Sequence, residues 1–158
     1  SVLIHPFLVL GPSMSCRLSM SNRWTIKKIF SLPVVPDVSI SVVGVQDVAE
    51  AHVMAMENEN ANGKRFLLSE KTIKLKDLSN ILKSAGFKKV PTLVIPNFLL
   101  KFVALFTPSL KMIAKRLGKE EKLHTTNANN VLGWYPNRVE LEIINSAKQL
   151  YETGLLKN

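Results

Sequence analysis

The side chains able to do chemistry are few and scattered. The histidines His5, His52 and His124 stand far apart, and none has a second histidine or a carboxylate at metal-ligand spacing. His52 follows Asp47 and Glu50 by five and two residues, separations that do not share a helix face. It reads as a packed, hydrogen-bonded helix residue. The single cysteine, Cys16, sits in a loop rich in Ser and Met with no histidine near it in sequence. It reads as a free structural thiol rather than a nucleophile. One cysteine excludes an internal disulfide and a Cys-based zinc or iron–sulfur site. The tyrosines Tyr135 and Tyr151 are followed four residues later by Val139 and Leu155, not by lysine. There is no G-x-G-x-x-G, Walker or G-x-S-x-G pattern. No catalytic residue and no metal ligand is therefore assigned to this chain.

These residues sit in a chain of 158, of which 46% are hydrophobic and 21% charged. That is enough apolar matter for a packed core and too much for a disordered chain. The best apolar run, Leu93 to Phe106, is cut by Pro96, Asn97 and Lys101 and is too short to span a bilayer. The cysteine usage suits a reducing, cytoplasmic setting. The chain opens on Val2-Leu3-Ile4-His5-Pro6-Phe7-Leu8-Val9-Leu10, closed by Gly11-Pro12. A continuous apolar run of this length predicts a strand buried on both faces, inside a parallel sheet. Parallel neighbours are reached by crossovers, and little sequence precedes this strand. The expectation is a fragment, the part of a larger protein that follows an N-terminal sheet.

Beyond a loop from Gly11 to Asn22, a short helix is predicted over Trp24–Phe30, ended by Pro33 and Pro36. Val38–Val42 alternates with period two, as a strand packed on one face does. Asp47 with Glu50 three residues on predicts a capping box, followed by Val48, Ala51, His52 and Ala55 at helical spacing. Arg65–Leu68 reads as a strand. Leu75, Leu78, Leu82 and Ala85 mark a helix closed by Gly86. Val90–Ile95 reads as extended. Pro96 opens a helix with a stripe of Leu99, Phe102, Val103 and Phe106. A further helix over Thr107–Leu117, a short one capped by Thr126, and a last one over Arg138–Thr153 on Val139, Ile143, Ala147 and Leu150 complete the pattern. The order argues α/β in the first half and a helical cap in the second.

Lys+Arg is 21 against Asp+Glu 12, a formal net charge of +9. Residues 62–124 hold fourteen basic and four acidic side chains, so this third carries all the excess. One reading is a surface for phosphate, in nucleic acid or a nucleotide. The favoured reading is a set of solvated helix faces, because Lys71, Lys74, Lys76 and Lys83 are spaced singly and no nucleic-acid-binding motif accompanies them. Nucleic acid is thus not an expected partner.

Five stretches in order resemble the C-terminal half of the extended short-chain dehydrogenase/reductase family, in its dihydroflavonol-reductase-like and NAD-dependent epimerase/dehydratase group. They are His5–Pro12 (P-x-x-V-x-G-P), Val43–His52 (V-D-V-x-D-V-A-x-A-H) and Gly63–Ser69. The cap residues Val90-Pro91 and Ile95-Pro96 with Leu132-Gly133-Trp134-Tyr135-Pro136 (L-G-W-x-P) come next, then the tail Leu150–Leu156. The resemblance implies the C-terminal part of a doubly wound Rossmann-like parallel sheet plus a mostly helical substrate-binding cap. Sheet elements fall at about residues 1–12 and 38–58, cap elements at about 13–37 and 59–158.

The resemblance also implies an NAD(P)-dependent oxidoreductase that reduces a carbonyl, or oxidises a secondary alcohol, on a small and fairly apolar molecule. The family's Tyr-x-x-x-Lys pair, its serine and its dinucleotide loop would lie in the missing half, so the fragment itself is expected to be inactive. NAD or NADP would be bound largely by that half. Pro6, Phe7, Leu8 and Val9 match the family's stretch beside the nicotinamide, at the strand end where open α/β sheets bind ligands. Ser21, with Ser19 as the other candidate, matches a serine near the cofactor phosphates. The loop Ser13–Arg23 and the segments from Pro96 to Leu117 would line the substrate pocket. No arginine pair suits a sugar-nucleotide diphosphate, which lowers the epimerase alternative. Gly44 and Gln46 depart from the family's Asp and Arg. A further reading is a non-catalytic remnant that self-associates through an exposed sheet edge.

Overall fold

A computed structural model describes residues 1–14, 19–106, 114–115, 117–118 and 125–156. Cys16, His124 and most of the helix expected over residues 107–117 lie outside the described residues.

The opening apolar run forms two short strands rather than one. β1 (Leu3–Pro6) pairs parallel with β4 (Arg65–Leu68), with Leu3 opposite Arg65 and Pro6 opposite Leu68. Beyond Phe7 the chain changes neighbour. β2 (Leu8–Leu10) pairs parallel with β3 (Ser39–Gly44), with Leu8 opposite Val42. β5 (Lys71–Lys74) closes this second sheet, antiparallel to β3. The orders are β1-β4 and β2-β3-β5. The fold is therefore α/β with parallel strands, as the sequence predicts, and β4 joins the opening strand rather than standing apart in the cap.

Burial on both faces holds for β2 and β3 but not for β1. Leu10 and Val42 enter one core with Ile26, Ile29, Leu78, Leu82 and the last helix, and Leu8 packs against it. Val43 enters a second core with Ala51, Ala55, Phe66, Leu68 and Trp134, and Val9 packs there. Successive residues point to opposite faces, so both faces are covered. In β1, by contrast, Leu3, His5 and Pro6 are exposed. Among the described residues β1 has a strand on one edge only.

The helices follow the pattern with three corrections. α1 (Met20–Asn22), a π-helical stretch (Arg23–Lys27) and α2 (Lys28–Phe30) form one continuous helical arm. α3 (Val45–Glu57) starts two residues before the expected cap. Gly44 is its N-cap in extended conformation, with no side-chain cap bond, so Asp47 is a first-turn residue and not the cap. α4 (Leu75–Ser84) ends before Gly86 at φ +101°, a left-handed position suited to glycine. α5 (Asn97–Phe106) buries Leu100 and Ala104, while Leu99, Phe102 and Val103 of the expected stripe are exposed. That helix is apolar over most of its circumference, with Asn97 and Lys101 its polar residues, so spacing alone could not choose its inward face. α6 (Val139–Glu152) buries Val139, Ile143, Ala147 and Leu150 as expected. His52 is an exposed residue of α3 and not a packed one, though its Nδ1 does bond the Val48 carbonyl at 2.8 Å.

Candidate functional site

The four strand residues singled out by sequence lie where the opening run changes partner. Pro6 ends β1 at the carboxyl edge of the parallel pair, opposite Leu68, and is exposed. Phe7 is half-buried, and its N–H donates to the Leu68 carbonyl at 3.0 Å. Leu8 and Val9 are half-buried and anchor in opposite cores. Proline has no N–H and the Phe7 N–H is engaged, so this corner offers apolar surface rather than amide donors. An apolar, backbone-lined corner suits the face of a planar ring.

The loop that follows is held from three sides. Gly11 has φ +155° and no room for a side chain, because a Cβ there would overlap Val45 and press on Glu142 Oε2. Its carbonyl accepts from Asn22 Nδ2 at 2.5 Å. The Ser13 N–H donates to Gln149 Oε1 at 2.8 Å, and Gln149 Nε2 donates to the Ser13 carbonyl at 2.7 Å. Ser19 Oγ accepts from the Asn22 N–H at 3.5 Å, a weak cap at the start of α1. Ser21 is a half-buried residue inside α1, two positions beyond that cap. Of the two serines, then, Ser19 is engaged by the helix start.

A charged group behind this loop fixes α3 against α6. Asp47 is buried; its Oδ1 accepts from Arg138 Nη1 at 3.1 Å and its Oδ2 from the Arg138 backbone N–H at 3.2 Å. Arg138 Nη2 reaches Glu50 Oε1 at 2.9 Å. That bond lowers the Glu50 pKa and raises that of Arg138. Trp134, from the L-G-W turn, is buried and donates its indole N–H to the Asp47 carbonyl at 2.7 Å. Glu142 is buried beside them, and desolvation raises its carboxyl above the usual range, with the Asp47 charge adding to the rise. Its side chain fills the space over Gly44, where a Cβ would lie 3.1 Å from Glu142 Cγ. A Cβ at position 44, where the resembled pattern has Asp, would also lie 3.0 Å from Asp47 Oδ2. Asp47 and Arg138 are structural; neither adjoins Pro6–Val9 in the strand register.

Two cavities flank the helical arm. The larger, about 470 Å³, is walled by Ile29, Leu32, Val38, Ile40, Leu75 and Leu100, among others. It uses residues of α2, the segment after it, β3, α4 and α5 together. Ile40 lies two residues before Val42, the partner of Leu8, so the cavity reaches the strand beside the proposed wall. From the expected pocket lining, α5 contributes Leu100 and Val103, while the described residues of the loop contribute nothing to this wall. The smaller cavity, about 390 Å³, is lined by Met20, Arg23, Lys27, Lys28 and Ser31. Sequence reasoning passed over these cations: Lys27 and Lys28 fall in the predicted helix, but Arg23 stands one residue before it. Among the described residues no His/Cys/Asp/Glu group could hold a metal ion. No helix among them is long and apolar enough to cross a membrane. Two lysines of the basic middle third are in ion pairs, Lys71 with Glu140 at 2.6 Å and Lys74 with Asp37 at 3.6 Å.

The α/β fold with parallel strands is similar to that of reductases of known structure. No family model matches the chain. It is similar to cinnamoyl-CoA reductase CAD2 of Medicago truncatula, 32% identical over 96 residues, which are 61% of this chain and 28% of that protein. Among solved structures it resembles the Gre2–NADPH complex from Candida albicans, with a TM-score of 0.65 and 24% identity, over 95% of this chain and 43% of that one. It also resembles vestitone reductase from alfalfa (Medicago sativa L.), with a TM-score of 0.69 and 18% identity, over 98% of this chain and 45% of that one. The chain therefore spans less than half the length of these relatives.

Proposed function

We propose that the chain is the C-terminal portion of an NAD(P)-dependent oxidoreductase that reduces a carbonyl, or oxidises a secondary alcohol, on a small, fairly apolar substrate. The observation that carries this reading is Pro6 at the carboxyl edge of a parallel strand pair, with an apolar cavity of about 470 Å³ lined by Ile40, two residues before the strand partner of Leu8. Relatives described as a cinnamoyl-CoA reductase and as an NADPH complex support it. The cofactor, NAD or NADP, supplies or accepts the hydride when bound, and most of its contacts belong to sequence other than these residues.

On this reading Pro6, Phe7, Leu8 and Val9 present the apolar wall, and Ser21 lies toward the phosphates. Residues at about 1–12 and 38–58 form the sheet part, and about 13–37 and 59–158 the cap, with β4 hydrogen-bonded to the sheet part. The setting is cytoplasmic. The edge of β1 that pairs with no strand among the described residues is the place for pairing with further strand, from another copy or from more of the same fold.

The test is a titration of the isotope-labelled 158-residue chain with NADPH, followed by NMR, alongside an NADPH-oxidation assay with hydrocinnamaldehyde. Shifts concentrated at Phe7–Leu10 and Ser21, with no turnover, are the expected result. Absence of any shift at the wall, or turnover by this chain alone, overturns the assignment.

A further inference from the structure

Ser31 closes the helical arm. It is the C-cap residue of α2, at φ −88° and ψ −8°. Its N–H donates back to the Lys27 and Lys28 carbonyls at 3.2 and 3.1 Å, and its Oγ donates to the Lys28 carbonyl at 2.7 Å. The residue is exposed, so the hydroxyl is open to an approaching reagent. It lines the cavity of about 390 Å³ with Met20, Arg23, Lys27 and Lys28. Lys28 and Lys27 lie three and four residues before it, the two spacings that share a helix face. Arg23 stands four residues further back. Among the described residues no ion pair engages any of the three cations.

Two effects oppose each other here. The end of a helix carries a partial negative charge of about half an elementary unit, which disfavours an anion. A phosphate on Ser31 would carry about −1.5 to −2 at neutral pH and meet three whole positive charges. The cations outweigh the helix end, and the phosphate relieves their mutual repulsion.

Basic residues shortly before a serine form a charge pattern that kinases discriminate. The arrangement Lys-Lys-x-x-Ser/Thr occurs twice in the chain, ending at Ser31 and at Thr92. Thr92 is half-buried and lines neither of the two cavities beside the arm. Ser79 also has a lysine three residues before it, Lys76, but is fully buried. Only at Ser31 do exposure, spacing and a cationic cavity coincide among these three.

We propose that Ser31 is a phosphorylation site whose phosphate is held by Lys27 and Lys28, with Arg23 adding its charge. ATP supplies the group: the Ser31 Oγ–P bond forms as the bond from the γ-phosphorus to the leaving ADP oxygen breaks, and the hydroxyl proton passes to a base of the kinase. The modification lowers the charge of the cationic cluster from three to about one. Lys28 also lines the apolar cavity of about 470 Å³, so the change in charge is felt at its wall. The proposal does not depend on the reductase reading.

The test is treatment of the folded 158-residue chain with ATP and the catalytic subunit of cyclic-AMP-dependent protein kinase, with sites mapped by mass spectrometry. Ser31 is expected to be the main site, with Ser79 unmodified. A ³¹P NMR titration of the phosphorylated Thr92→Val chain then reads a single phosphate. Its second ionisation lies near about 6 in an unstructured chain. In the folded chain the midpoint should fall about half a pH unit or more below that of the same chain in urea, because nearby cations favour the dianion. Lys27→Gln should take back part of that shift, and Arg23→Gln a smaller part. Circular dichroism of each variant checks that it folds.

Absence of phosphate at Ser31, or modification of Ser79 as fast as Ser31, overturns the site. A phosphate at Ser31 that titrates alike in the folded and unfolded chain, or ignores Lys27→Gln, overturns the clamp and the proposal with it.

Discussion

Gln149 and Ser13, 136 residues apart, are joined by a pair of reciprocal hydrogen bonds. The side-chain amide of Gln149 gives its N–H to the Ser13 carbonyl and takes the Ser13 N–H on its oxygen, at 2.7 and 2.8 Å. A side chain here closes the backbone accounting that a strand would otherwise close. The loop leaving the proposed cofactor wall is thereby tied to α6, near the far end of the chain.

Removing this clasp should loosen the loop before it unfolds the protein. Gln149→Ala loses two part-buried bonds and should cost about 1–2 kcal/mol. Gln149→Glu keeps the acceptor but sets a carboxylate oxygen against the Ser13 carbonyl, so it should be worse than alanine. Thermal melts rank the two, and amide exchange at Ser13 should quicken in both. Equal melts for both variants and wild type would show that the clasp contributes nothing.

Asp47 is the buried charge on which the α3–α6 contact depends. Asp47→Ala removes the acceptor for both the backbone and the side chain of Arg138 and leaves that pair unmatched, at a cost of about 3 kcal/mol. Asp47→Asn should lose less, because its oxygen still accepts one of the two bonds. Glu50→Ala touches only the exposed arm of Arg138 and should change the melting midpoint little. Urea unfolding of the three variants tests that order.

Glu142 makes stability depend on pH in a definite direction. Burial raises its carboxyl pKa in the folded chain, while the unfolded value stays near about 4.3. The folded state therefore binds the proton more tightly. The stability this supplies is full below the unfolded value and is lost as pH rises through the folded one. Glu142→Gln cannot ionise, so its midpoint should exceed wild type by a few degrees at neutral pH, with the two curves converging toward about pH 4. A gap that stays constant across pH would show that Glu142 does not titrate differently on folding.

How far the sequence could be read follows from what each element depends on. α6 was legible because Val139, Ile143, Ala147 and Leu150 repeat at helical spacing amid polar residues, and all four are buried. α5 was not, because Asn97–Phe106 is apolar over most of its circumference and its neighbours choose the buried face. β5 escaped notice because Lys71-Thr72-Ile73-Lys74 has one buried residue and lysines at both ends, as edge strands do. Asp47 was legible as a helix-start residue, but its partner lies 91 positions away and only the fold brings them together. The extended course of Pro6–Val9 was legible from its apolar run, though not its division between β1 and β2, and the cofactor wall proposed for it rests on the resemblance. The cavity was not legible at all, since several separate segments each supply a wall.

Gly11 is the tightest point of the proposed site. A Cβ there would overlap Val45 Cγ1 and come within 2.9 Å of Glu142 Oε2, and the φ of +155° is one that side chains rarely adopt. Val45 is β-branched and helical, so its rotamer cannot swing away freely. Gly11→Ala should therefore cost about 3 kcal/mol. Steric overlap and backbone strain can be separated with a second change. Val45 is 36% exposed, so Val45→Ala alone should cost little. If overlap dominates, Gly11→Ala with Val45→Ala recovers most of the loss, and the double-mutant cycle shows a coupling of about 1–2 kcal/mol. If the backbone angle dominates, the two effects add. The structure favours overlap, because the Val45 contact is the shortest of those a Cβ would make; strict additivity in urea unfolding would refute that.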